Sequence, residues 1–215
     1  MTGKIQKMKN QINTEEIAKA IEKFESEVEF EFIPVIAPKS SYTEHVPWIL
    51  SLILMFISIV VIDFIFQDSY QDRWIYYLLG LLFSVLFGFI LDRLDWVDRF
   101  FISKKEQVRQ VHEKAERIFF KKKLHESKSH NALLLYISVL EKRIVLLPDT
   151  RTHIEGLDQI TQKMLQLLQT AFKNQQYQQG IMAAIGHLSQ ELSDKHKKSS
   201  NLNNQFSNKL IWWDD

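Results

Sequence analysis

Four side chains in this sequence are of types that could do chemistry together: the carboxylates Glu31, Glu141 and Asp149 and the guanidinium of Arg143. Each stands in or beside a run of strand-favouring residues, so all four would be carried near strand ends. Carboxylates so placed could share a hard cation such as Ca²⁺ or Mg²⁺, which takes oxygen ligands. An arginine beside them could face phosphoryl oxygens, whose developing charge a phosphatase must stabilise. The same residues also have a structural reading. Glu141 and Lys142 fall at the tip of a predicted hairpin, where charges face water, and Asp149 follows Pro148 in a turn, a place aspartate favours for bonds to its own backbone.

Other chemistry is thinner. The chain has no Gly-rich phosphate loop, no G-x-S-x-G elbow and no zincin helix. Cysteine is absent, which removes thiolate metal sites and cysteine nucleophiles. His112 and Glu116 stand four apart on one predicted helix face; with no third ligand nearby they read as an exposed ion pair rather than a metal site. His125 could act as an acid or base, or cap a helix C-terminus. The run Lys121–Lys123 could touch anionic headgroups or simply solvate a helix end. A net charge of +1 over 215 residues argues against a nucleic-acid partner.

The elements that must position these residues begin with a capping box. Asn13 with Glu16 three residues on opens a helix whose Ile17, Ala20, Ile21, Phe24 and Val28 form one stripe. Period two then takes over in EFEFIPVIAP, residues 29–38, a predicted strand. After residue 103 a helix runs to about Leu124, and NALLLYISVLEKRIVLLPD, residues 131–149, reads as a tight β-hairpin. Its strands are apolar at nearly every position, so they need cover on both faces. Ile154–Phe172 and Tyr177–Leu192 supply that cover as helices. The order predicts a small three-layer α/β/α domain.

Between strand and helix lie two apolar runs, Pro47–Phe66 and Trp74–Leu91, each long enough to cross a hydrocarbon core of about 30 Å. The link QDSYQDR is too short to hold a domain, so the two read as a transmembrane hairpin. A signal peptide is not expected, since about forty residues precede the first run. Trp48, Trp74, Tyr76, Tyr77 and Trp96 suit interfacial belts. Arg73 is the link's one basic residue, whereas Lys104, Lys105, Arg109, Lys114, Arg117 and Lys121–Lys123 come after the hairpin; the positive-inside rule then puts both termini in the cytoplasm. Gly80, Ser84 and Gly88 recur every four residues and Ser51 and Ser58 every seven, a small-residue surface for packing within the hairpin or between copies. Asp63 lies near the end of its helix, within reach of headgroup water, and without a basic partner makes no ion pathway. The expected divisions are residues 1–12 (N-terminal tail), 13–46, 47–92 (the hairpin), 93–192, and 193–215, a polar flexible tail. Its closing Ile211, Trp212 and Trp213 could dock on the domain, enter the membrane interface or serve as a recognised peptide.

The segments EFIPVIAP (Glu31–Pro38) and LHESKSHNALLLYISVLEKRIVLLPD (Leu124–Asp149) resemble the TPM domain. That family includes a thylakoid-lumen protein of photosystem II repair and many bacterial membrane proteins. The likeness is to the bacterial subgroup in which a transmembrane pair interrupts the domain after its first strand, and it covers residues 14 to 192. Glu31 and Pro34 stand at the first motif, and Leu124, His125, Ser138, Glu141, Arg143 and Asp149 at the second. Glu29 and Phe30 replace the usual Ser-Gly pair, Ser127 and Ala132 replace a threonine and a glycine, and the Val-x-Asp segment of the secreted members is missing. The resemblance implies the three-layer fold with a membrane insertion. It also raises a metal-assisted acid phosphatase using Ca²⁺ or Mg²⁺. The anchored domain and its small-residue helix face read first as an interaction or assembly module held at the cytoplasmic face of the inner membrane, with a protein partner or a second copy.

Overall fold

The computed structural model describes residues 2–43, 45–66, 73–91, 94, 97, 100–127, 130–198 and 206–213. The chain divides into two units, one from residues 41–104 and one from residues 2–40 with 105–215.

The second unit is the α/β domain. Its elements are α1 (Thr2–Gln11), α2 (Thr14–Glu27), β1 (Glu31–Ala37), α5 (Lys104–Lys121), a 3₁₀ turn (Leu124–Glu126), β2 (Ala132–Ser138), β3 (Arg143–Pro148), α6 (Leu157–Lys173), α7 (Tyr177–Ser193) and β4 (Ile211–Trp212). The sheet order is β3-β2-β1-β4; β1 runs parallel to β2 and β4, and β2 antiparallel to β3. Every residue of β1 and β2 is buried, as unbroken apolar runs require. On one face Ile33, Val35, Ala37, Leu134 and Tyr136 pack against Val111, Ala115, Ile118 and Phe119 of α5. On the other, α2 lies on β1, with Phe24 against Phe32 at 5.3 Å between ring centroids, α6 lies on β3, and α7 packs against α2 and α6. Gly180 permits that last contact: a Cβ there would lie 2.7 Å from the Cβ of Ala171.

The N-terminus of α2 is capped by Asn13, whose side chain accepts from Glu15 N–H at 3.0 Å. The reciprocal bond of a capping box goes elsewhere: Asn13 N–H donates to Gln178 of α7 at 2.9 Å, and Glu16 instead takes the Asn13 side-chain amide at 3.2 Å. Two departures from the sequence reading concern the ends of the chain. Residues read as an N-terminal tail form α1, held by Ile5, Met8 and Ile12, which are buried at three- and four-residue spacing. Within the segment read as a flexible tail, Ile211 and Trp212 form β4, and Leu210 is buried.

The other unit contains α3 (Val46–Ile65) and α4 (Arg73–Leu91). Both helices are long and apolar enough to cross a membrane. They are antiparallel, since Gly80 meets Ser58 and Ile62 while Gly88 meets Ser51 and Pro47. Their outer faces are bare hydrocarbon: Phe56 is 68% exposed, Phe64 75% and Leu86 62%. The link residues 67–72, Asp92, Arg93 and Trp96 lie outside the described residues.

Candidate functional site

Sheet register decides which candidate side chains can act together. Glu31 opens β1 opposite Ala132, and the Asp149 N–H donates to Ala132 O at 2.9 Å, so these two carboxylates flank the start of β2. Arg143 pairs with Ser138 at the far end of β2, and Glu141 lies in the turn beyond it. Six residues separate Ala132 from Ser138, about 20 Å of strand. Calcium holds its oxygens at about 2.3–2.6 Å. The three carboxylates therefore share no ion, and the four side chains form no common site. Among the described residues no group of three or more His, Asp or Glu side chains could hold a metal.

At the turn end, β2 keeps pairing with the chain beyond β1: Val139 N–H donates to Ala37 O at 3.1 Å and Leu140 N–H to Pro38 O at 2.9 Å. This rolls the hairpin tip inward. Lys142 takes the left-handed conformation, φ 54°, and stays exposed, but Glu141 is 3% exposed instead of facing water as the sequence suggested. Both its oxygens accept from Ser40 N–H, at 3.1 and 3.2 Å, and Ser138 Oγ donates to Oε2. Ser40 Oγ in turn contacts Tyr136 OH at 2.8 Å and Ser138 Oγ at 2.7 Å. A buried carboxylate needs such donors. The cluster ties the exit of β1 to the β2–β3 turn. Arg143 is half-buried, and its Nε has no hydrogen-bond partner among the described residues.

At the opposite end Asp149 is 2% exposed. Its Oδ1 accepts Arg151 N–H at 3.1 Å, the local turn bond expected of aspartate, and Oδ2 faces His130 Nδ1 at 3.7 Å. Arg151 also approaches His130 Nε2. A guanidinium only donates, so Nε2 is the acceptor in this contact and Nδ1, the ring nitrogen toward Asp149, is the one left to carry a proton. Asn131 bridges the strands beside it: its side-chain amide donates to Glu29 O at 2.6 Å, while its backbone carbonyl accepts Glu31 N–H at 3.0 Å. At the β1 edge Glu25 accepts Phe32 N–H at 3.0 Å. Burial pushes the Glu25 carboxyl up from 4.5 to about 7; the neighbouring charge of Glu31 adds to this, and the bonds from Phe32 and Asn208 and the charge of Lys198 oppose it. Sequence reasoning had passed over His130, Asn131, Arg151 and Glu25. The signal for the first three was the His-Asn pair opening β2 and the arginine two residues past Asp149.

Residues 98–191 match the family model of the TPM domain. The match takes in α5, β2, β3, α6 and most of α7. Of the candidates, Glu141, Arg143 and Asp149 fall inside the match and Glu31 precedes it. The solution NMR structure of the BA42 protein from the psychrophilic bacterium Bizionia argentinensis is similar over 93% of this chain and 92% of that one, with a TM-score of 0.54 and 14% identity, a likeness of fold. Comparison with curated proteins finds no match.

Elsewhere in the α/β unit, His112 pairs with Glu116 at 3.4 Å, both half-exposed, as an exposed helix pair. His125 lies in the 3₁₀ turn with its ring 5.0 Å from Phe120. Lys121 and Lys122 stand 4.8 and 5.7 Å from the ring centre of Trp213. In the other unit the small residues lie between the two helices. Ser51, Ser58 and Ser84 fold their hydroxyls back onto carbonyls of their own helices at 2.7–2.8 Å, which satisfies them without water. Asp63 accepts from Tyr77 OH across the hairpin. Trp48 meets Phe89 edge-on at 5.3 Å, and Phe66 stacks on Tyr76 at 4.4 Å.

Proposed function

We propose that this chain is a two-pass protein of the bacterial inner membrane whose TPM domain, with both termini, faces the cytoplasm and serves as an interaction or assembly module. The observation that carries the membrane part is the outward apolar surface of α3 and α4, of which only 6% and 11% of the spanning windows is buried. Monomeric soluble proteins rarely leave so large an apolar patch in water. Lipid is the partner that such a surface fits, and the excess of Lys and Arg after the hairpin favours the cytoplasmic orientation.

The module reading gains support over a metal-assisted phosphatase from the way the candidates are spent. Glu141 is committed to Ser40 and Ser138, Asp149 to the Arg151 turn, and about 20 Å of strand lies between the two ends. Hydrolysis of p-nitrophenyl phosphate by the detergent-purified full chain, with and without Mg²⁺ or Ca²⁺, tests this. The module reading expects no metal-dependent turnover. Turnover that needs metal and is lost in Asp149→Ala would replace it with the enzyme.

A further inference from the structure

β4 is the shortest strand of the sheet, and its backbone pairing is confined to Val35 and Ile36, with one further bond from Trp213 N–H to Ile36 O at 2.8 Å. Its side chains are gripped from both faces. Lys9 of α1 stands 5.2 Å from the ring centre of Trp212 on one side; Lys121, the last residue of α5, and Lys122 just after it flank Trp213 on the other. Phe206, Ile211 and Trp213 rest on the α5-side core only partly buried. Main-chain pairing at a sheet edge, with side-chain recognition on alternate faces, is the chemistry of strand addition.

By residue count, the chain leading to β4 is longer than the span it must cover. Lys197 bridges Val28, and Lys198 N–H donates to Glu27 O at 3.2 Å, so the segment is pinned just before β1. From Val28 to Val35 the strand covers about 23 Å, whereas the residues from Lys197 to Ile211 can extend to about 46 Å. With length to spare, β4 is held by the contacts of residues 206–213 themselves: the pairing with Val35 and Ile36, the Asn208 bond to Glu25, and the packing of Phe206, Leu210 and Trp213.

We propose that the β1 edge between Lys9 and the Lys121–Lys122 pair is a peptide-binding groove, and that its occupant in trans is the Leu210–Trp213 segment of a second copy of this chain. The segment seated in the structure is the occupant in cis. Exchange between copies would make the groove the assembly contact; this rests on the module reading and gives its partner.

The test uses full-length protein in detergent and a fluorescein-labelled peptide of residues 206–215, followed by anisotropy. Trp213→Ala weakens the segment in cis, so this variant should bind the peptide at least tenfold more tightly than wild type. Adding Lys121→Ala and Lys122→Ala should weaken that binding several-fold. Equal binding by wild type and variant, or binding by neither, overturns the proposal. On wild type alone, amide hydrogen exchange at Trp213 should be at least a hundredfold faster than at Leu134, and equal rates overturn it too. Failure here with the hairpin still inserted strikes the groove; loss of membrane insertion strikes the module reading.

Discussion

Glu25→Gln should change how stability depends on pH. The Glu25 carboxylate caps the β1 edge at Phe32, and desolvation raises it from 4.5 to about 7. Between those values the folded chain holds a proton that the unfolded chain has released, so this group's contribution falls as pH rises through the window and stays at its full penalty above about 7. At ~1.4 kcal/mol per pH unit, the displacement would amount to ~3 kcal/mol in a dry site. Glu25 is only half-buried, and screening by water reduces this to about 1 kcal/mol. Glutamine keeps an oxygen for Phe32 N–H and carries no charge. The variant should therefore match wild type at pH 4.5 and melt higher at pH 8, by about 2–4 °C for a chain of this size. Thermal melting in detergent at a series of pH values, read as variant minus wild type, measures it. A difference that is flat with pH, or that grows toward low pH, would refute the reasoning.

Packing and polar satisfaction set the remaining expectations. Gly88→Ala should lower the melting temperature in detergent more than Gly80→Ala, because the added Cβ meets Ser51 backbone N at 2.9 Å and Pro47 O at 3.0 Å, whereas at Gly80 it meets side-chain atoms at 3.0–3.3 Å; the reverse order would contradict helix contact within the hairpin. Leu134→Ala, at a fully buried site in the α5-side core, should cost about 2–5 kcal/mol by chemical denaturation. Glu141→Ala leaves Ser40 N–H without its acceptor and should cost about 1–3 kcal/mol, with faster amide exchange at Ser40 as the local readout.

The layered fold was legible because its signals are local. Continuous apolar runs gave β1 and β2 their cover on both faces, and the stripe of Val108, Val111, Ala115, Ile118 and Phe119 gave α5 its inward side except at Val108, which is exposed. α1 was missed because Ile5, Met8 and Ile12 are three apolar residues in a polar stretch, too few to announce a helix before α7 is there to receive it. β4 has too few residues to carry a period at all; only its tryptophans marked it. The candidate set failed on direction rather than on residue type. Glu31 begins a strand and Glu141 comes after one, and once β1 and β2 run parallel the two must stand at opposite ends. Burial of Glu141 depended on Ser40, a contact across 101 residues that no spacing rule shows.

The proposed membrane hairpin is open to a direct test because the chain contains no cysteine. Ser69→Cys, in the link between the apolar helices, and Ser207→Cys, just before β4, can each be probed with a membrane-impermeant maleimide in spheroplasts. The two-pass topology with cytoplasmic termini predicts labelling of the Ser69→Cys protein in intact spheroplasts and of the Ser207→Cys protein only after permeabilisation. Labelling of both without permeabilisation, or of neither, would contradict it.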